Sequence, residues 1–190
     1  MTLTAPVGAV FGLSEAVASL IGVVVAALAA FVLHALGHYY AGRRIVGVPA
    51  DGIRIDPRQL PYVVALRDDD GWVTAGESAR YRDAYEAFDP DLEQFERFVA
   101  GGDIVQTAVV VPIALVLATT SVPRAAGLLV VGSLLATAIL VVVDAVGTQL
   151  RGGAAGDYAI LWGIDRRVPV LILLGVLLVH VGVFRFVAGG

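Results

Sequence analysis

The sequence predicts an all-α membrane protein of about four transmembrane helices, with a small α+β insert between the first two. Three observations carry this. Hydrophobic residues make up 58% of the 190-residue chain and charged ones only 16%, against roughly a quarter charged in soluble domains. Mean hydropathy is +0.83. Charge is also segregated: residues 16–42, 104–123, 125–143 and 168–184 hold no Asp, Glu, Lys or Arg, whereas 13 of the 17 acidic residues fall between Asp51 and Asp103. Each uncharged stretch is close to the roughly 17–25 residues a helix needs to cross a bilayer core.

The first stretch belongs to an N-terminal segment, residues 1–44, and reads as a span rather than a cleaved leader. No basic residue precedes it, and its apolar run exceeds an h-region of about 7–15 residues. Residues 45–102 form the insert. Within it Gly52–Asp56, Tyr62–Leu66 and Trp72–Thr74 read as short strands, with a turn at Asp68-Asp69-Asp70-Gly71. Asp89-Pro90 offers an N-cap followed by proline at the first helical position. Leu92, Phe95, Phe98 and Val99 then recur at helical spacing and lead into span two. Residues 103–190 carry spans two to four.

Arginine placement sets the expected orientation, because cytoplasmic flanks collect basic residues. Arg43 and Arg44 follow span one, and Arg151, Arg166 and Arg167 separate spans three and four, while Arg124 alone marks the turn between spans two and three. Both termini are therefore expected outside and the insert in the cytoplasm. All 13 Lys/Arg residues are arginine, and this lysine-free, acidic, Ala/Val/Gly-rich composition resembles proteins of halophilic archaea. The absence of cysteine excludes disulfides, thiolate metal sites and thiol nucleophiles. A pI near 5.2 and an acidic insert argue against nucleic acid as a partner.

His34 and His38 stand four apart near the end of span one, on one helix face. Ionisable groups within a span are costly and mark functional sites by default, and this spacing suits metal ligation. The stretch His34-Ala35-Leu36-Gly37-His38, continuing through Tyr39-Tyr40-Ala41-Gly42-Arg43-Arg44 to Gly47-Val48, resembles the zinc motif of the site-2 protease family of intramembrane metalloproteases. That motif is H-E-x-G-H at the end of a transmembrane helix, followed by a small residue, an arginine pair and glycine-valine. The resemblance covers about fifteen contiguous residues and the four-span layout. It implies a Zn2+ cofactor, zinc ligation by both histidines and another protein's transmembrane segment as substrate. It also locates a gap: the family's general-base glutamate falls on Ala35. That glutamate takes a proton from the zinc-bound water, so the chain as written is expected to keep the metal and lose turnover. A natural pseudoprotease and a deliberate Glu→Ala substitution both account for Ala35, and the otherwise intact motif favours the substitution.

A site of this kind takes a third protein ligand and leaves the fourth position to water. Asp144, at the end of span three, lies about 6 Å from the cytoplasmic end, while His38 and His34 lie at about 5 and 10 Å. Matching depth makes Asp144 the expected third ligand. Asp157 is the alternative: by resemblance the family's third ligand is an aspartate beside glycine, and Gly152-Gly153-Ala154-Ala155-Gly156-Asp157 can form an irregular turn lining a cavity. The plain reading of Asp157 is an N-cap for Tyr158–Trp162. His180, about 18 Å into span four, reads as a hydrogen-bonded packing residue, and Gln106 and Thr107 as helix–helix contacts.

Two other functions fit the composition. One is a haem-binding or electron-transfer subunit with axial histidines; the other is a silent membrane scaffold presenting its insert. Beyond the lipid bilayer and a substrate helix, a homo-oligomer is left open.

Overall fold

The computed structural model describes residues 7–189. In it α1 (Val7–Ala41) runs into one π-helical turn, Gly42–Val46, that ends at Gly47 with φ of 86°. That left-handed backbone favours glycine. Strands β1 (Ile53–Ile55), β2 (Val64–Asp68) and β3 (Gly71–Thr74) follow, then α2 (Ser78–Glu86), α3 (Phe95–Ala118), α4 (Pro123–Arg151), α5 (Asp157–Ile164) and α6 (Arg167–Gly189). Four helices, α1, α3, α4 and α6, are long and apolar enough to cross a membrane. The architecture is that of a multi-pass membrane protein with a small three-stranded sheet.

Each span is longer than its uncharged stretch, since helices continue past the bilayer core wherever polar residues reach water. Thus α3 starts at Phe95, inside the expected insert, and α4 runs on to Arg151, where Gly152 closes it with φ of 69°. Asp144 is therefore two turns inside α4 and not at its end. Asp89 behaves as a cap by side chain, accepting from the N–H groups of Glu93 and Gln94, but the helix begins only at Phe95. The three strands appear at the expected places, with ends within two residues. They form an antiparallel sheet in the order β1-β2-β3, with Ile53 opposite Leu66 and Leu66 opposite Val73.

The sheet does not stand apart from the bundle. Ile53, Val64, Leu66 and Val73 are buried with Tyr81 and Tyr85 of α2, Phe95, Phe98 and Val99 of α3, and Ala35 of α1. The insert thus roofs the end of the bundle that holds the histidines. The outer face of α1 leaves Leu13, Val17, Leu20, Ile21, Val25 and Leu28 exposed, as suits a surface solvated by lipid.

Between helices the backbones touch through small residues, which suits lipid, where apolar burial does not drive helix association. A Cβ on Gly37 would lie 2.3 Å from the Gly101 carbonyl oxygen, and one on Gly132 would lie 2.5 Å from the Ala26 Cβ and 2.7 Å from the Ala27 nitrogen. Gly132→Ala must therefore push α4 off α1. It is expected to cost about 1–3 kcal/mol, the range for overpacking, and detergent thermal denaturation will read it as a lower midpoint. Deeper in the bundle, Gln106 donates to the carbonyl and hydroxyl of Ser133 and to Thr137. His180 contacts the Ser133 hydroxyl at 2.9 Å and the Val176 carbonyl at 2.8 Å. Gln106 and His180 are thus interhelical ties.

Candidate metal centre

The helical period puts His34 and His38 one above the other on α1, their rings edge to face with centroids 4.7 Å apart. Both are buried. Asp157, the first residue of α5, brings its carboxylate between them from a position 123 residues away. Its Oδ2 lies 3.2 Å from His34 Nε2 and 2.9 Å from His38 Nε2, and the two nitrogens are 3.1 Å apart. Among the described residues these three form the group able to offer converging ligand atoms to a metal ion. A tetrahedral ion with bonds of about 2.0–2.2 Å asks for ligand atoms roughly 3.3–3.5 Å apart, so the triangle has close to the right size.

The donor chemistry fits as well. His38 Nδ1 lies 3.1 Å from the Phe98 carbonyl oxygen, a partner that can only accept, so that nitrogen carries the proton. In the neutral ring the Nε2 lone pair then faces the Asp157 carboxylate and His34. Acceptors packed this closely repel unless a positive charge sits among them, either an imidazolium proton or a metal ion. A metal supplies that charge to all three at once.

Glycine keeps the centre open. A Cβ on Gly102 of α3 would stand 2.5 Å from His38 Nε2 and 2.7 Å from His34 Nε2, at the point where those nitrogens converge. Next to it, Asp103 is almost wholly buried. Both its oxygens accept from the Tyr158 hydroxyl at 2.9 Å, and its Oδ1 lies 3.8 Å from His34 Nδ1. Sequence reasoning passed over Asp103 because it sits at the edge of the acidic insert. The signal was a carboxylate directly after a Gly-Gly pair, at the start of an uncharged stretch.

Asp144, expected from depth to complete the ligand set, does not join it. It is buried, but its Oδ2 accepts the Tyr158 backbone N–H at 2.9 Å, and a Cβ on Gly156 would fall 1.8 Å from its Oδ1. Asp144 thus holds the turn that presents Asp157. Depth along a helix was the right coordinate for choosing candidates, but the direction a side chain faces decides between them. Asp157→Ala is expected to lower metal affinity by more than the 10–100-fold typical of losing an outer-shell partner, and Asp144→Asn to stay within that range. Competition with a chelator on the purified proteins measures both.

Ala35 is buried on the wall of a small cavity, about 30 Å3, that it shares with His34, His38, Asp157, Tyr62 and Tyr81. That volume holds one or two water molecules. Burial pushes the Tyr81 phenol well above its usual range, and burial followed by the Asp144 charge pushes Tyr62 up to about 12. Both walls therefore present neutral hydroxyls at physiological pH. Residue 35, the ligand triangle and a water-sized space are contiguous. No protein-family profile matches the chain, and neither characterised proteins nor solved structures give a significant match.

Proposed function

We propose that this chain is a site-2-protease-like intramembrane zinc metalloprotease, catalytically silent because Ala35 stands in place of the general base. The observation that carries the reading is the convergence of His34, His38 and Asp157 beside a water-sized cavity whose wall includes position 35. Zinc bound there would act as a Lewis acid and make its water a nucleophile near neutral pH. The chain's own residues orient and enclose. The Phe98 carbonyl fixes the His38 ring, Asp144 and Gly156 aim Asp157, and the sheet excludes bulk water from above.

The substrate class is the transmembrane segment of another protein, since the site lies at the end of an apolar bundle with lipid-facing surfaces around it. Arginine bias puts the insert in the cytoplasm and both termini outside. A scaffold role is the competing reading; haem ligation is disfavoured because His34 and His38 share one helix and both His180 nitrogens have protein partners. Restoring the carboxylate is the test. Ala35→Glu should cleave a bilayer-embedded apolar peptide and stop when a chelator is added. An inert Ala35→Glu with zinc bound would leave the scaffold reading in its place.

A further inference from the structure

Two buried polar groups beside the metal centre are each short of a partner. His34 Nδ1 has no hydrogen bond. The Asp103 carboxylate, 3% exposed, receives one hydroxyl proton shared across its two oxygens, although an ionised carboxylate offers about four acceptor positions. A buried charge so thinly satisfied is costly. The two deficits face each other, His34 Nδ1 and Asp103 Oδ1 being 3.8 Å apart. Closing that gap by roughly 1 Å makes a charge-assisted hydrogen bond.

We propose that Asp103 is the positioning residue of the metal centre, accepting a hydrogen bond from the His34 Nδ1–H and so committing His34 Nε2 to the metal, an assignment that rests on the metal-centre reading above. Neutral imidazole carries one N–H, and the nitrogen opposite the metal must hold it. For His38 the Phe98 carbonyl already takes that proton; for His34 the available acceptor is Asp103. The backbone is arranged to bring it there. Bare Gly37 and Gly101 let α1 and α3 meet at backbone contact, and Asp103 follows Gly102, whose missing Cβ leaves the centre open. The same carboxylate holds Tyr158, the residue after Asp157. One side chain therefore braces a ligand on α1 and the segment that delivers a ligand from α5.

The test uses the full chain with Ala35, purified in detergent, with zinc alone as the probe. Asp103→Asn is expected to weaken zinc binding about 10–100-fold, read by chelator competition. Tyr158→Phe keeps both Asp103 oxygens for His34 and removes only the brace to α5, so it should weaken zinc binding less than Asp103→Asn and leave the His34 resonance in place. With three histidines in the chain, 15N-histidine labelling separates the rings. In the zinc-loaded parent, His34 should carry its proton on Nδ1 with the strongly deshielded resonance of a carboxylate partner. In Asp103→Asn that resonance should move while the His38 signal stays.

Equal losses in Asp103→Asn and Tyr158→Phe, with the His34 resonance unmoved, would reduce Asp103 to an anchor for α5 and overturn the proposal. The parent spectrum decides even if Asp103→Asn fails to fold, because zinc on His34 Nδ1, with the proton on Nε2, overturns it directly. A parent that binds no zinc in the competition assay would bring down the metal reading itself, a result distinct from either of these.

Discussion

Gly102→Ala is expected to remove metal binding, lowering zinc affinity by more than about 100-fold, past the range for losing an outer-shell partner. The added methyl would stand 2.5 and 2.7 Å from the two ligand nitrogens, well inside van der Waals contact. It occupies the point on which those nitrogens converge, and the His38 ring cannot turn away without giving up the Phe98 carbonyl. Elsewhere in a helix interior alanine is favoured over glycine by about 1 kcal/mol. The substitution should therefore leave α3 helical by circular dichroism while zinc uptake disappears. Tight zinc binding by Gly102→Ala would show that the ion does not sit among these atoms.

Ala35→Glu is expected to gain about 10²–10⁴-fold in chelator-sensitive hydrolysis of a membrane-embedded peptide, the usual worth of general acid–base assistance. Position 35 shares the 30 Å3 cavity with all three ligand residues, so a carboxylate there enters the space in which water would be activated. Ala35→Gln is the control, since an amide of similar shape cannot take the proton and should gain nothing. A buried carboxylate without a cation is costly. Ala35→Glu should thus lose thermal stability when stripped of metal and recover it when zinc is returned. A gain shared by Ala35→Gln would point to packing, and the base assignment would fail.

The spans were legible because the bilayer core tolerates so few charges that its helices appear as gaps in the charge pattern. Their ends were not, because Glu96, Arg97 and Arg151 continue a helix into a polar setting without cost. Strand positions were legible as short segments flanking the Asp-Gly turn before Trp72. The helix α2 went unread although Tyr81, Ala84 and Tyr85 recur at helical spacing, since the surrounding charges mask so short a stripe. At the centre, His34 and His38 were legible from their spacing, their place inside a span and the motif that surrounds them. Asp144 ranked above Asp157 because depth can be counted along a helix, whereas the fold of a Gly-rich turn cannot. Asp103 carried a local signal in the Gly-Gly pair before it, but its nearness to His34 comes from the approach of α3 to α1, a distance that the signal does not encode.

The separation of 123 residues between His34 and Asp157 would give an ion bound at the proposed centre a structural meaning apart from chemistry. Helices in lipid associate without the hydrophobic drive that folds soluble proteins, and α1 reaches the short α5 across most of the chain. An ion that binds only the assembled triangle works as a clasp between these distant parts, adding about 2.7 kcal/mol when its free concentration is a hundredfold above its dissociation constant. Without it, an imidazolium proton has to supply the positive charge among the three groups at the seam. The amount of correctly assembled protein in the membrane would then follow the supply of metal, and on the proposed reading a chain without a catalytic base would still register whether that metal is present.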